Sequence, residues 1–383
     1  MRSRTMRMSW LGGALLSAAC AAVAAAPALG FFQEAPAPAQ APAAGADHAV
    51  STLLEALPDR IAKRLEERRA EMNQPAGGPM GAAGFVARIA KRWNPGETVK
   101  VAFRGGSDAL HREIAETASE WTEYANLKFD FGLDPATGKY RTWSPSDSQY
   151  AAEIRISFNQ RGYFSLVGND SIDSTITAPG EESMNFERFD VHKPSDWKGI
   201  TLHEFGHAIG FEHEHQGTPP CDFRFEDDPG YVRTAGPGGQ FVPDSAGRRP
   251  GLYTQLGGPP NNWSRQKVDF NLKQLPPSSS IVAGAFDKNS IMKYYFEPFM
   301  FAAGKDSPCY TDFANVALSD QDKKGAAEVY PRGKEDIADI LAAKKLVLRE
   351  LAENRQVSKK IRDHFGGRLK DLDALRKRVL DDD

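Results

Sequence analysis

His203-Glu204-Phe205-Gly206-His207-Ala208-Ile209-Gly210-Phe211-Glu212-His213 is the stretch on which the reading of this chain turns. His203 and His207 stand four apart, so a helix sets both imidazoles on one face, within reach of a single ion. Glu204 is poorly placed to ligate the same ion, but it can take a proton from a water held there. Three residues past His207, Gly210 lacks a Cβ and can end the helix in a left-handed conformation. The chain then turns, and His213 can return as a third nitrogen ligand. Three histidines leave a coordination position open to water and substrate, which separates a catalytic zinc site from a closed structural one. One zinc ion is therefore the expected cofactor.

Outward from this helix, read over Ile200 to Gly210, the pattern is mixed α/β. Thr98 to Phe103 reads as a strand, and Leu127, Phe129 and Phe131 alternate as a second strand would. Between them, Asp108 to Ala125 carries Leu110, Ile114, Ala118, Trp121 and Ala125 at helical spacing. Glu153 to Phe158 alternates as another strand. Pro219 to Ser280 is rich in Gly, Pro, Asn and Asp and is expected to be largely irregular. Leu318-Ser319-Asp320-Gln321-Asp322 opens a last core helix ending at Tyr330-Pro331. The expected fold class is α+β, with a twisted mixed sheet, an active-site helix, an irregular C-terminal subdomain and a helical extension.

The flanks differ in composition. Arg2, Arg4 and Arg7 precede an apolar, alanine-rich run from Leu11 to Ala26, with small residues at Ala28-Leu29-Gly30. Residues 1–30 read as an export signal rather than a membrane anchor, because the run is short and mostly alanine. Lipid attachment at Cys20 is disfavoured by Ser17, where an aliphatic residue is usual. The mature chain is thus expected to be secreted or periplasmic, without a membrane span. Residues 31–84 read as linkers around a short helical unit from His48 to Asn73, with Leu53, Leu54, Ile61 and Leu65 on its inner face. That unit is either a pro-segment or a spacer. The catalytic domain is expected over 85–332 and a helical extension over 333–383, interrupted at Gly366-Gly367. Ile337, Ile340, Leu341, Leu348 and Leu351 make one apolar face there; Leu369, Leu372, Leu375 and Val379 make another, as in a hairpin packed on the enzyme. Loss of the signal leaves Cys221 and Cys309, which suggest one disulfide, two unpaired thiols being the alternative. The net charge of −3 offers no basic excess for nucleic acid.

The extended motif resembles that of the metzincin zinc endopeptidases, and Ser290-Ile291-Met292-Lys293-Tyr294 resembles their methionine turn. Met292 would then pack beneath the zinc ligands. Within that group the chain is most similar to the astacin family. The resemblance lies in His207 to Phe211, His213-Glu214-His215, Gly162 to Gly168, Arg92-Trp93, and Tyr294 two residues after the turn methionine. It implies that Tyr294 can ligate zinc and swing to steady a transition state. It also implies that Glu214 pairs, through water, with an amino terminus freed on maturation; Pro75 to Gly84 is a candidate cleavage zone. Three features depart from the family. Lys293 stands where a histidine is common, most of the usual cysteines are missing, and the segment between His213 and Met292 is long.

These readings imply hydrolysis of peptide bonds in protein or peptide substrates. Glu204 would be the general base and Tyr294 the donor to the oxyanion. The substrate backbone would pair along an edge strand near Ser183 to Phe186. The alternatives are a non-catalytic zinc-containing binding or envelope module, or a metzincin of another family. Intact Glu204 disfavours the module, since zinc retention alone does not need it.

Overall fold

The computed structural model describes residues 57–72, 89–217, 220–274 and 286–380. The expected signal, the linkers, Leu53, Leu54 and the Pro75–Gly84 zone lie outside the described residues. In β1 (Thr98–Phe103), Val99 and Val101 are buried while Thr98 and Lys100 face out, an alternation that ends at Ala102, which Trp143 and Ala152 cover on the other face. β1 pairs in parallel with β2 (Lys128–Asp130) and, on its other side, with β3 (Ile154–Ser157). A parallel pair needs a crossover, and α2 (Asp108–Tyr124) supplies it between β1 and β2. Ser107 caps α2 by accepting the Leu110 N–H, and the five apolar residues read as its stripe are all buried.

The strand order is β2-β1-β3-β5-β4, with β4 spanning Tyr163–Ser165 and β5 spanning Met184–Phe186. This corrects one expectation. Ser183 to Phe186 is not an edge: β5 pairs with β3 in parallel and with β4 antiparallel, and β4 is the end strand. β3 and β5 are buried on both faces and β4 nearly so, so no alternation tells a central strand from an edge.

α3 (Trp197–Ala208) starts nearly a turn earlier than the sequence suggests and is buried from Thr201 through Ala208. Phe205 meets the Phe129 ring of β2 at 5.1 Å, and Trp121 of α2 donates its indole N–H to the Leu202 carbonyl at 2.8 Å. The helix is thus wedged between the sheet and α2.

A second apolar cluster, with Leu252, Leu256, Trp263, Val268, Phe296 and Phe301, builds the C-terminal subdomain. Cys221 and Cys309 form a disulfide within it. The stretch expected to be irregular is only partly so. It holds a short ladder, β6 (Thr234–Ala235) with β7 (Phe241–Val242), and the helices α4 (Leu252–Gly257) and α5 (Arg265–Leu272). Helices of six and eight residues are too short to display a period.

α6 (Asp320–Val329) opens with a capping box between Ser319 and Asp322. α7 (Lys334–Glu353) and α8 (Lys359–Leu380) pair as the expected hairpin, but the break falls at residues 354–358. α8 runs straight through Gly366-Gly367. Each glycine costs about 1 kcal/mol in a helix. Burial of Phe365, Leu372 and Leu375 on the same helix outweighs it. α1 (Asp59–Met72) is no free spacer: Ile61 and Leu65 pack on Phe164, Leu166 and Ile176. Arg64 pairs with Glu181 at 2.6 Å and Arg68 with Asp173 at 2.6 Å. Arg68 also lies over the Phe365 ring of α8, 4.9 Å from its centroid.

Candidate metal centre

α3 delivers His203 and His207 from one face, and Gly210 ends the helix at φ +97°, as its missing Cβ allows. The next residues turn back, and His213 joins the pair. Its Nε2 lies 3.0 Å from that of His207, which lies 3.2 Å from that of His203. Nitrogens bound at 2.0–2.1 Å to a tetrahedral zinc stand about 3.3 Å apart, close to these two spacings, and all three ligand atoms lie within 4.8 Å of one another.

The opposite ring nitrogens explain why these three face inward. His203 Nδ1 donates to the Ile291 carbonyl at 2.6 Å and His207 Nδ1 to the Phe211 carbonyl at 2.7 Å. His213 Nδ1 meets the Gln216 side-chain oxygen at 3.2 Å. These oxygens can only accept, so each Nδ1 carries the proton and each Nε2 presents its lone pair to the centre. Among the described residues, His203, His207 and His213 are the one group of three with metal-ligating proximity. Glu204, directly after His203, is buried beside them.

α3 is braced at its C-terminal end by aromatic donors. Trp93 gives its indole N–H to the Ala208 carbonyl at 2.7 Å, and the Tyr330 hydroxyl binds the Ile209 carbonyl at 2.5 Å. Both carbonyls belong to the last turn, where the helix itself supplies no partner.

Met292 packs under the helix at Gly206, the residue immediately before His207. The turn that carries it is held from α6. The Asp322 carboxylate accepts the Ser290 hydroxyl at 2.7 Å and the Ile291 N–H at 2.8 Å, and Ser290 Oγ accepts the Met292 N–H at 3.0 Å. The Met292 carbonyl accepts the Glu214 N–H at 2.9 Å, which ties the third-ligand loop to the same turn. The Glu214 carboxylate accepts the Asp287 N–H at 2.8 Å, and burial raises its pKa.

Tyr294 reaches the histidines, its ring 4.4 Å from that of His213 and 5.3 Å from that of His203. His215 lies against both His213 and Tyr294 at 4.8 Å and donates from Nε2 to the Asn271 carbonyl at 3.0 Å. Complete burial pushes its pKa far below the ordinary range, so it is a neutral plate. Lys293 is buried between Tyr294 and Thr311, and burial lowers its pKa to about 8.

The sequence therefore foresaw the three histidines, Gly210, Met292 and Tyr294 as neighbours, and the structure brings them together with Glu204. It did not foresee Gln216, Ser290, Asp322 or Trp93. For Asp322 a signal existed, since Ser319-x-x-Asp322 is a capping-box pattern. For Gln216 there was none.

Solved structures similar to this chain include two of myroilysin. The first is 27% identical, with a TM-score of 0.47, and covers 64% of this chain and 97% of its own. The second is 24% identical, with a TM-score of 0.39, and covers 73% and 98%. A third is high choriolytic enzyme 1, a hatching enzyme zinc-protease from Oryzias latipes (Medaka fish). It is 15% identical, with a TM-score of 0.36, and covers 63% and 94%. No protein-family model and no curated protein matches the sequence.

Proposed function

We propose that this chain is an exported, zinc-dependent metalloendopeptidase of the metzincin type, most like the astacins. One observation carries the reading: the ligand nitrogens of His203, His207 and His213 lie within 4.8 Å of one another, with Glu204 buried next to the first. The methionine beneath the helix and the tyrosine against the ligands agree with it.

His203, His207 and His213 would hold the ion through Nε2. When bound, zinc supplies a Lewis acid that polarises the scissile carbonyl and acidifies water. Glu204 accepts the proton of the attacking water and later gives it to the leaving nitrogen. The Tyr294 hydroxyl donates to the oxygen that gains charge, a contact that matters most in the transition state. Substrate main chain adds to the sheet at its end strand β4, Tyr163–Ser165, in place of the segment first expected. Backbone pairing of that kind selects extended peptides without reading their sequence. Export agrees with the Cys221–Cys309 disulfide, which persists in oxidising compartments. Among the described residues no helix is long and apolar enough to cross a membrane.

The test is zinc quantitation with a casein digest, run with and without chelator, on wild type and Glu204→Ala. The expected result is one zinc in both proteins, chelator-sensitive cleavage in the wild type, and almost none in the variant. Zinc without cleavage in the wild type would favour a binding module instead. A variant as active as wild type would remove Glu204 as the base.

A further inference from the structure

We infer that Lys293 is a positioning residue for Tyr294, fixing the main chain from which that side chain reaches the zinc ligands. The inference rests on the catalytic role proposed above for Tyr294. Lys293 occupies the turn position after Met292 and is only 3% exposed. Its ammonium donates to the Tyr294 carbonyl at 2.9 Å and to the Thr311 hydroxyl at 3.3 Å. Among the described residues no carboxylate lies within ion-pair distance of it. A buried ammonium is costly, and two neutral oxygens are a weak compensation compared with a carboxylate. An apolar residue would fill the same space without that cost. What the ammonium adds is a directed grip on one particular carbonyl, that of Tyr294.

The far end of the grip is firm. Thr311 is itself buried and follows two residues after Cys309, whose disulfide to Cys221 anchors this loop in the second apolar cluster. On the near side, Met292 is already fixed through Ser290 Oγ and the Glu214 N–H. Tyr294 thus stands between two secured points, and Lys293 joins it to the second. The Tyr294 ring rests against His213 and His203 with His215 behind it. A small rotation of its main chain would carry the hydroxyl away from the site. Lys293 touches no reacting atom in this arrangement; it acts through Tyr294.

The experiment is a double-mutant cycle on the full, zinc-loaded protein, using Lys293→Met, Tyr294→Phe and the pair. A quenched-fluorescence peptide drawn from the casein digest gives kcat and KM. Bound zinc and hydrogen exchange at the Tyr294–Phe296 amides are read alongside. Lys293→Met is expected to lower kcat about 10-fold with KM nearly unchanged. Zinc content stays at wild-type level, and amide exchange over the segment rises. In the Tyr294→Phe background the same change should cost less than about 2-fold, because the group it positions is gone. Lys293→Arg, which keeps a buried donor, should recover part of the loss. Equal losses in both backgrounds, or unchanged exchange in Lys293→Met, would overturn the inference while leaving Tyr294 its role. A Tyr294→Phe enzyme with wild-type kcat would instead remove that role, and the inference with it. If Lys293→Met fails to fold, Thr311→Val cuts the second tether alone, and the same cycle applies with a smaller drop.

Discussion

A Cβ built on Gly206 would stand 2.3 Å from the Met292 sulfur and 3.0 Å from the Trp121 ring, so the turn and the zinc helix touch through a missing side chain. Helix propensity alone favours Gly206→Ala by about 1 kcal/mol. The contact argues the opposite, since overpacking a filled core costs about 1–3 kcal/mol. We expect Gly206→Ala to lower stability and weaken zinc binding, because the methionine turn must withdraw from beneath the helix that carries His203 and His207. Thermal unfolding with and without chelator, together with a zinc titration, measures both. A more stable variant with unchanged affinity would mean the turn can move aside freely.

Gln216 holds His213 at one end and the Phe270 and Lys273 carbonyls at the other. Outer partners of metal-bound histidines are typically worth about 10–100-fold in metal affinity. Gln216→Leu should weaken zinc binding by that order in a competition with a chromophoric chelator. It should leave the folded state otherwise intact. Unweakened binding would show that His213 is oriented by its loop alone.

Arg68 of α1 and Asp173 form an ion pair at 2.6 Å with both side chains almost fully buried. Removing one partner of a buried pair typically costs about 3–5 kcal/mol. Arg68→Ala should show that loss in urea unfolding, whereas Lys63→Ala, on the exposed side of α1, should show almost none. Similar small effects from both would mean that α1 contributes little to the fold.

His364 of α8 faces the same place, among Asp173, Asp170, Arg68 and Arg368. Burial, more than the neighbouring charges, holds its pKa below 6.5. The unfolded chain therefore takes up this proton first as pH falls. The stabilisation is fully present above about pH 6.5 and declines as pH drops towards the folded pKa. His364→Gln should flatten the stability profile between about pH 6.5 and the onset of acid unfolding, read by urea midpoints across pH. A profile that matches wild type through that window would exclude His364 as its source.

The convergence of the three histidines could be read from sequence because one helix and one glycine turn dictate their spacing. The same holds for α2, whose buried stripe repeats over several turns. Other features left no trace in residue types. His203 and His207 are oriented by the carbonyls of Ile291 and Phe211, and any residue at those positions offers one. Gln216 reaches the carbonyls of Phe270 and Lys273, and Lys293 the hydroxyl of Thr311, contacts that no local pattern announces. The edge strand was misplaced for a related reason: β4 and β5 are three residues each and doubly buried or nearly so, and which one ends the sheet depends on pairing across it. Gly366-Gly367 looked like a break because local propensity says so, while the packed side of α8 says otherwise.

The meeting of α1 with α8 has a consequence for what a cut in the chain would do. The earliest and latest helices described grip one another through Arg68 over Phe365 and through the Ser358 N–H on Glu71. Between them, Lys344 clasps the carbonyls of Arg92 and Trp93, while Arg368 meets Glu97. A single cut in the loops between these helices would release no fragment, because both pieces remain sewn to each other. Trimming from either side would first have to peel one helix off the other. Such a chain can be nicked and stay whole.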